Sequence, residues 1–514
     1  MALHEVLSAK GVTHTMSYNL NLTDLQRDGD VSLTQQLVDR VIAAIESRAL
    51  EPGEKLPPTR ALAAEAGINH LTAARVYRRL AEEGYVTASV GRGTFVRALA
   101  PAAAEAQGDD WQAYVLPDRP TTYQEQILSD AFRLPLREGM ISLATGFPSP
   151  RFNASAELGE IAKQVFRDEP VGALSYLMPE GLPELREGLA EHGADRGGTS
   201  DPDEIIVTSG GQQAIDLTAR ALLEPGDVAV VESPTFTGSL LSLRATGARV
   251  IGVPVDSEGL DVDALEQVLA RHEVKLCALQ TACQNPKGVD LSPERSKRLA
   301  ELAVERNMFV LEDRVYSDLR YEGQHTPSLR RQAPGHVIEV NSLSKVVGAG
   351  LRVGWIGARG PVHDRLTLLK HATDFHTATP VQYIVARYLA TGGYQRLLEL
   401  GLPYYRERRD ALMAALERHL EGEYEADVPR GGHHVWATLK RPVDERTLYS
   451  EAVRHGMAFT PGGAVTADRW QRTSLRLSFS LLEPEELDEG CRRLARALRE
   501  VRRRDRAAVA APLS

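Results

Sequence analysis

A glycine pair, Gly210 and Gly211, followed by Gln212, lies where a strand-like run, 204–208, gives way to a helical segment. The first turn of a helix exposes main-chain N–H groups, and the helix dipole adds positive potential there, so such a turn can hold a phosphate. Glycine pairs also mark ordinary turns, so this signal alone is weak. Whether the glycine pair indicates a phosphate site depends on the other residues that would accompany it.

Companion residues follow at the ends of later strand-like runs. They supply an amide, an acid, a phenol, two hydroxyls, an amine and a guanidinium: Asn285, Asp313, Tyr316, Ser342, Ser344, Lys345 and Arg352. In this order, with a proline after Asn285 and a Ser-x-Ser-Lys run, they resemble the fold-type I pyridoxal-phosphate enzymes, specifically the class I/II aminotransferases. The resemblance extends over residues 140–505.

The resemblance implies pyridoxal 5′-phosphate as the cofactor and a role for each residue. Lys345 would form a Schiff base with the pyridoxal aldehyde and, once displaced by an amino substrate, would move the α-proton as a general base. Asp313 would pair with the pyridinium nitrogen, so that the ring can accept electrons. Asn285 and Tyr316 would hydrogen-bond the ring hydroxyl oxygen. The phosphate would be held by amides, hydroxyls and one permanent charge, from Gly210, Gly211, Gln212, Ser342, Ser344 and Arg352.

Three more residues are assigned by the same resemblance. Phe236 matches an aromatic side chain that stacks on the cofactor ring; many relatives have tyrosine there, so the stacking carries over and a phenol's role does not. Tyr176 resembles the tyrosine that reaches the partner subunit's phosphate, which implies a homodimer. Arg476 matches the arginine that binds the substrate α-carboxylate, an anion that suits a planar guanidinium. His434 fits a place in the site no better than a place in the core or at the surface.

Each of these residues also has an ordinary interpretation. Lys345 can be a surface lysine, Asp313 a helix cap and Arg476 an ion-pair partner; their joint occurrence in the family's order favours the cofactor site. Cys277 and Cys283 are expected to be small buried hydrophobic residues. The three cysteines show no paired ligand spacing, so we expect neither a disulfide framework nor a metal site.

A second group of elements precedes the cofactor residues. Thr59 and Asn69 can cap two helices, 60–66 and 70–83, after a first amphipathic helix. The run 85–96 contains β-rich residues on both sides of a Gly-Arg-Gly turn and predicts a hairpin. Three helices and a hairpin predict a winged helix-turn-helix.

This N-terminal segment resembles the GntR-type winged helix-turn-helix domain. The resemblance rests on Pro57-Pro58-Thr59-Arg60, Tyr77, Gly84-Tyr85-Val86 and the wing from Gly91 to Val96. A helix N-terminus can enter the major groove while arginines and amides hold phosphates, so double-stranded DNA is the implied partner. The implied contacts are Arg60, His70, Thr72, Arg75 and, at the wing tip, Arg92. Solvated arginines on a small structural domain are the alternative.

The rest of the chain predicts an α/β body. Strand-like runs alternate with helical segments, at 204–208, 228–231, 248–253, 276–280, 308–311 and 337–340. This alternation predicts a mainly parallel sheet covered by helices. Strands at 433–439 and 474–479 predict a smaller α+β lobe. We therefore expect a winged helix-turn-helix at 31–97, a linker at 98–139 and an aminotransferase-like domain at 140–505.

Composition and charge limit the function classes. The chain has 514 residues, of which 43% are hydrophobic and 25% charged, as in folded globular proteins. It has no apolar run of the ~18 residues that a membrane span needs, and with its few cysteines it predicts a cytoplasmic protein. The net charge is −10, yet residues 31–97 hold nine basic and seven acidic residues. A slightly basic head therefore precedes an acidic body.

The combination of head and body resembles the MocR group of bacterial transcription regulators, in which the body senses pyridoxal phosphate or an amine. Two functions stay open: a regulator that senses an amino acid or amine, and an active aminotransferase of the 2-aminoadipate or aromatic amino-acid type that carries a GntR-type head. Residues 312–321 resemble that transaminase branch more than the form frequent in regulators. We favour the regulator, because a complete winged head has no use in transamination alone.

Overall fold

A computed structural model describes residues 31–46, 49–50, 54–89, 93–97, 122–152, 154–468 and 472–510, with the single positions Leu25 and Gln112. The chain divides into two compact units, on either side of residue 120. None of the helices in these residues is long and apolar enough to cross a membrane.

The N-terminal unit is the predicted winged helix-turn-helix. Its elements are α1 (Leu33–Glu46), α2 (Thr59–Glu65), α3 (His70–Glu82), β1 (Val86–Ser89) and β2 (Gly93–Val96). The two strands pair antiparallel. Leu37, Val41, Leu62, Val76 and Leu80 are buried and form a small core between the helices. The apolar spacing along the helices therefore packs them as the sequence predicts.

Of the two predicted helix caps in this unit, one is confirmed and one is wrong. Asn69 Oδ1 accepts the Thr72 N–H at 2.7 Å and caps α3. Thr59 does not cap α2, because it is itself the first helical residue and Pro58 occupies the cap position without a side-chain hydrogen bond. Pro58 has φ −57° and ψ 145°, the extended geometry that leads into a helix.

The C-terminal unit is an α/β body with the helices α4 (Tyr123–Arg133), α5 (Ser155–Asp168), α6 (Pro183–Asp195), α7 (Gly211–Leu222), α8 (Thr237–Ala245), α9 (Val262–Leu269), α10 (Pro293–Glu305), α11 (Pro361–Asp374), α12 (Thr379–Ala390), α13 (Gly393–Leu420), α14 (Glu445–Arg454) and α15 (Pro484–Ala510). Short 3₁₀ turns lie at Leu134–Leu136, Gly172–Leu174, Pro202–Glu204, Leu329–Arg331, Leu343–Lys345, Ala349–Leu351 and Gly462–Ala464.

The main sheet of the body has eight strands: β4 (Ile205–Thr208), β5 (Val228–Ser233), β6 (Arg249–Asp256), β7 (Gly259–Leu260), β8 (Val274–Leu279), β9 (Phe309–Asp313), β10 (Val337–Ser342) and β11 (Gly354–Gly357). The order is β4-β11-β10-β9-β8-β5-β6-β7. The neighbours from β10 to β6 run parallel, as predicted, and β11 runs antiparallel to both β4 and β10. Apolar side chains of the central strands are buried on both faces under helices.

Strand β11, like the two-residue strand β7, was not predicted from the sequence. It is only four residues long and both of its ends are glycines. A Cβ at Gly354 would lie 2.7 Å from the carbonyl carbon of Gly210, so only glycine lets β11 approach this turn. This close approach brings the glycine turn beside the end of β10.

The smaller α+β lobe is present as expected. Its sheet contains β12 (Tyr424–Glu425), β13 (His434–Leu439), β15 (Thr460–Pro461) and β16 (Ser474–Ser478), in the order β12-β13-β16-β15. A two-stranded pair joins β3 (Ile141–Ser142) with β14 (Met457–Ala458) in parallel. Strands β13 and β16 are antiparallel, with Trp436 opposite Arg476.

Helix α4 lies within 98–139, the stretch expected to be a linker. Thr122 and Glu125 form a full capping box at its start. Tyr123 Oη donates to Glu445 Oε1 at 3.3 Å, and Tyr449 Oη donates to Asp130 Oδ2 at 3.2 Å. The last part of the expected linker is therefore a helix that packs on the body.

Candidate cofactor site

Predicted site residues lie at the carboxyl ends of adjacent parallel strands. Asp313 ends β9 and Ser342 ends β10, and Val340 pairs with Asp313 in the register. A cavity of about 510 Å³ opens at this edge. It is lined by Leu128, Ala131, Phe132, Ala144, Thr145, Gly146, Phe147, Gln212, Phe236, Gly238, Leu241, Gln280, Asn285, Asp313, Val315, Tyr316, Lys345, His434 and Arg476.

Lys345 is a partly buried lysine at this cavity. The 3₁₀ turn after β10 carries it, and its Nζ donates to the Gly146 carbonyl oxygen at 3.0 Å. The Nζ lies 5.3 Å from the centre of the Tyr316 ring. An amine that faces a cavity beside an aromatic ring is placed to react with a ligand there.

The predicted phosphate residues form one cradle. Helix α7 begins at Gly211, and Gly210, with φ 94°, precedes it. The Arg352 guanidinium occupies the space that a Cβ at Gly210 would need, and its Nη2 donates to the Ser209 carbonyl oxygen at 2.7 Å. Ser342 Oγ and Ser344 Oγ lie 2.9 Å apart in the neighbouring loop. A helix N-terminus, two hydroxyls and an exposed guanidinium are the donors that a phosphate dianion needs, so the site fits the cofactor's phosphate.

Gln212 lies in the cradle with its side chain already engaged. Its Nε2 donates to the Gly238 carbonyl oxygen at 3.2 Å and to Ser242 Oγ at 3.0 Å. The group that remains for a phosphate is the main-chain N–H in the first turn of α7. Phe236, the residue before α8, also lines the cavity.

Asp313 is buried and hydrogen-bonded on both oxygens. Oδ1 accepts the Val315 N–H at 3.1 Å, and Oδ2 accepts Gln280 Nε2 at 2.8 Å. Burial raises the pKa of Asp313 to about 6, while the two hydrogen bonds and the positive charge of Lys345 oppose that rise. Asp313 is therefore mainly ionised at neutral pH and can pair with a cationic ring nitrogen.

Arg476 extends from β16 into the same cavity. Its Nη2 donates to the Ala144 carbonyl oxygen at 2.9 Å and to Thr460 Oγ1 at 3.0 Å, and its Nη1 lies 3.4 Å from Asn285 Oδ1. Burial lowers the pKa of Arg476 to about 10, so the group stays charged at neutral pH. Within the described part of the chain it forms no ion pair, and its Nε has no hydrogen-bond partner. An anionic ligand would supply the missing partner.

His434 completes the wall of the cavity, and the adjacent His433 lies next to it. His434 Nε2 lies 3.3 Å from Tyr316 Oη, and His433 Nδ1 lies 3.3 Å from the Gly146 carbonyl oxygen. Burial, together with the charge of Lys345, lowers the pKa of His433 to about 3. Burial, together with the charge of Arg476, lowers the pKa of His434 well below its ordinary value. Both rings are neutral at physiological pH. The sequence left His434 between a site and a core position, and the structure places it buried at the edge of the site.

Tyr176 lies apart from this cavity. Its side chain is 85% exposed, and its ring centre is 6.1 Å from that of Phe375 and 5.6 Å from that of His376. Its expected role at a partner's phosphate stays a prediction.

Several residues that line the cavity were not predicted from the sequence. Leu128, Ala131 and Phe132 come from α4, which precedes the predicted body, and Gln280 directly follows β8. The Thr-x-x-Glu capping box before an amphipathic run was a signal for α4. No sequence motif around Gln280 indicates its place in the site, because Asp313, to which it donates a hydrogen bond, is distant in the sequence.

The head presents most of the expected DNA contacts. Arg60, His70 and Arg75 are exposed, whereas Thr72 is half-buried and its Oγ1 lies 3.0 Å from Asn69 Oδ1, to which it donates. Arg92 lies outside the described residues.

Comparisons with known proteins agree with this division. Residues 138–494 match the family model "Aminotransferase class I and II". The chain belongs to this family. Residues 33–96 match the model "Bacterial regulatory proteins, gntR family". The family depends on pyridoxal phosphate, which confirms the predicted cofactor.

Three relatives illustrate the similarity. LysN, an α-aminoadipate aminotransferase of Thermus thermophilus solved with N-(5′-phosphopyridoxyl)-L-leucine, is 34% identical; the match covers 73% of this chain and 96% of LysN, with a TM-score of 0.68. The uncharacterized HTH-type transcriptional regulator YdcR of Escherichia coli is 31% identical over 85% of this chain and 93% of its own length. The probable rhizopine catabolism regulatory protein MocR of Rhizobium meliloti is 26% identical over 92% of this chain and 95% of its own length. With a gntR head on an aminotransferase body, the chain is a transcription regulator of the MocR type.

Proposed function

We propose that this regulator binds an α-amino acid at its pyridoxal-phosphate site and that this ligand changes DNA binding by the head. The observation that carries the proposal is the pairing, in one cavity, of Lys345 with the unpaired cation of Arg476. The amino group of the ligand would bind at Lys345 and the cofactor, and its α-carboxylate would bind to Arg476. An amine without a carboxylate is the weaker candidate, because it would leave Arg476 buried and unpaired.

The cavity favours an apolar side chain on the ligand. Leu128, Phe132, Phe147 and Leu241 contribute apolar surface to it. Arg476 and Lys345 are the only cationic side chains among the described residues of the lining. A second carboxylate would therefore find no charge partner among these lining residues, and an aliphatic or aromatic amino acid fits better than a dicarboxylic one.

Pyridoxal phosphate supplies an aldehyde that reacts with amines and a ring that withdraws electrons. The chain's own residues hold it and move a proton. The phosphate cradle and Asp313 would fix its two ends, and Asn285 and Tyr316 would bind its hydroxyl oxygen. Lys345, freed by an amino ligand, would act as the base at the ligand's α-carbon.

Helix α4 is the part of the body that follows the head most closely in the sequence. Its residues Leu128 and Phe132 line the cavity, and α4 is the first described helix of the body after the stretch that leads from the head. A ligand that touches α4 contacts the part of the body that is nearest to the head in sequence. Ligand binding and DNA binding would then be reciprocally coupled.

We further propose that the body forms a homodimer. Val171, Leu174, Tyr176, Met178 and Phe375 are large apolar residues with 57–85% of their surface exposed. Apolar residues exposed together are typical of a subunit interface. Two heads on one dimer would bind two half-sites with higher apparent affinity than a single head.

A second function, full transamination, is favoured by one observation. Gln212, Phe236, Asn285, Asp313, Tyr316 and Lys345 line one cavity together with Arg476, on a body 34% identical to an aminotransferase. Multiple turnovers with an amino acid and a 2-oxo acid would support this function. A half-reaction without turnover would support a sensor only.

The deciding experiment is a footprint of the full chain on DNA upstream of its own gene and the neighbouring genes, with and without pyridoxal phosphate and a panel of amino acids. We expect protection that changes with an apolar amino acid. Arg60→Ala with Arg75→Ala should abolish protection, whereas Lys297→Ala, which removes one positive charge from the body, should not. No protected site in any condition would contradict the proposed function.

A further inference from the structure

Gln280 lies between the two residues expected to flank the cofactor ring. It directly follows β8, and Asp313 ends β9, the parallel neighbour of β8. Gln280 is buried, and its Nε2 donates to Asp313 Oδ2 at 2.8 Å. Its Oε1 accepts the Asn285 main-chain N–H at 2.7 Å. One amide therefore connects Asp313, which is expected at the ring nitrogen, with Asn285, which is expected at the ring hydroxyl.

The orientation of this amide is set by its partners. The Asn285 N–H can only donate, so it must face the oxygen of Gln280, and the NH₂ group must face Asp313. A hydrogen bond to an ionised carboxylate is among the strong ones, and it favours the ionised form of the acid. Gln280 therefore both aims the Asp313 carboxylate and stabilises its charge.

Glu232 lies directly behind Gln280. The Gln280 main-chain N–H donates to Glu232 Oε2 at 2.9 Å. Burial raises the pKa of Glu232 to about 8, so this carboxyl is mainly protonated at neutral pH. It supports the Gln280 main chain without a second negative charge beside Asp313.

We propose that Gln280 is a positioning residue of the cofactor site, which fixes with a single amide the two residues on either side of the cofactor ring. The inference rests on the proposed roles of Asp313 and Asn285. A side chain that only filled the core would need neither hydrogen bond. Methionine, of similar length and without hydrogen-bonding groups, separates the two interpretations.

The test measures the cofactor in the full-length protein. We expect Gln280→Met to weaken pyridoxal-phosphate binding about ten- to a hundredfold, the effect of losing a hydrogen bond to a charged group. Asp313 would lose a contact that favours its ionised form, so the shared proton would move from the ring nitrogen towards the carboxylate. The ¹⁵N chemical shift of cofactor labelled at the ring nitrogen would then move towards that of neutral pyridine.

Gln280→Glu gives a second, pH-dependent readout. The ionised carboxylate of this variant could accept the Asn285 N–H but could not donate to Asp313, whereas the protonated carboxyl can do both. We expect its cofactor affinity, relative to the natural protein, to recover as the pH falls from 8.5 to 6. If Gln280→Met does not fold, Gln280→Glu alone tests the proposal. A difference in cofactor affinity between Gln280→Glu and the natural protein that stays constant from pH 8.5 to 6 would overturn it.

Two controls separate the possible failures. Thr281→Val removes a buried hydrogen bond to Glu312, 2.5 Å long, from the neighbouring residue and should lower stability without moving the ¹⁵N shift. Asp313→Asn should shift the signal at least as far as Gln280→Met.

If Asp313→Asn changes nothing, the assignment of Asp313 fails and the proposal for Gln280 fails with it. Unchanged affinity and shift in a folded Gln280→Met variant would overturn the proposal alone. The DNA footprint, measured separately, tests the regulatory function.

Discussion

Arg476 Nη1 lies 3.4 Å from Asn285 Oδ1, so the residue expected to bind the ligand carboxylate contacts the residue expected to bind the cofactor ring. Arg476 belongs to the small lobe, in β16, and Asn285 to a loop of the large sheet. The contact joins the two parts of the body at the cavity. A carboxylate bound to Arg476 would therefore be held directly beside the cofactor.

Arg476→Ala should weaken α-amino acid binding while cofactor binding persists. Truncating one partner of a buried charge pair typically costs ~2–5 kcal/mol. A decarboxylated amine with the same side chain never makes this contact, so its affinity should change little. Spectroscopic titration of both ligands measures the difference; equal losses would count against Arg476 as the carboxylate site.

Lys345→Ala should remove the covalent link between the protein and pyridoxal phosphate. Borohydride reduction followed by peptide mapping should find the cofactor on Lys345 in the natural protein and on no lysine in the variant. Lys287, which is partly buried and donates to the Val255 carbonyl oxygen at 3.0 Å, is the informative alternative. A label at Lys287 would refute the assignment.

Much of this site follows from short motifs, and the remainder depends on the packing of distant segments. Lys345 and Asp313 belong to local runs whose strands are strongly apolar, so the sequence places both at the carboxyl edge of the sheet. Phe132 and Gln280 reach the cavity through contacts with residues far away in the chain, which no local pattern encodes. Strand β11 was missed because four residues with glycine at both ends give too little periodicity.

The wrong cap at Thr59 has a related cause. Threonine is a good cap by residue type, but the preceding Pro58 already has the extended geometry of the cap position. The helix therefore begins one residue earlier than the side-chain preference suggests. The neighbouring proline, and not the capping preference of threonine, therefore determines where α2 begins.

Glu232→Gln should change how stability depends on pH. The folded-state pKa of Glu232 is raised to about 8 from an ordinary 4.5, so between these values the folded state binds more protons than the unfolded state. Stability attributed to this group is therefore fully present below pH 4.5 and is lost as the pH rises towards 8, by up to about 1.4 kcal/mol per unit. Glutamine does not titrate, so the variant should gain stability relative to the natural protein as the pH rises from 5 to 9. Urea unfolding at several pH values measures this difference, and a difference that is constant with pH would show that Glu232 is not protonated in the fold.

DNA binding by the head should depend strongly on salt. Arg60, His70 and Arg75 are exposed on α2 and α3, and protein cations that neutralise phosphates release counterions, so the affinity falls as salt rises. Arg60→Ala and Arg75→Ala should each lower the affinity and, where the lost contact is to a phosphate, reduce the slope of log K against log salt by about one. Loss of a contact to a base edge would instead cost about 1–3 kcal/mol and relax the preference at one position of the site.

Binding curves of the full chain on a footprinted site and on scrambled DNA, at several salt concentrations, separate these outcomes. Unchanged affinity and slope in both variants would make the head a structural appendage and would favour the aminotransferase function.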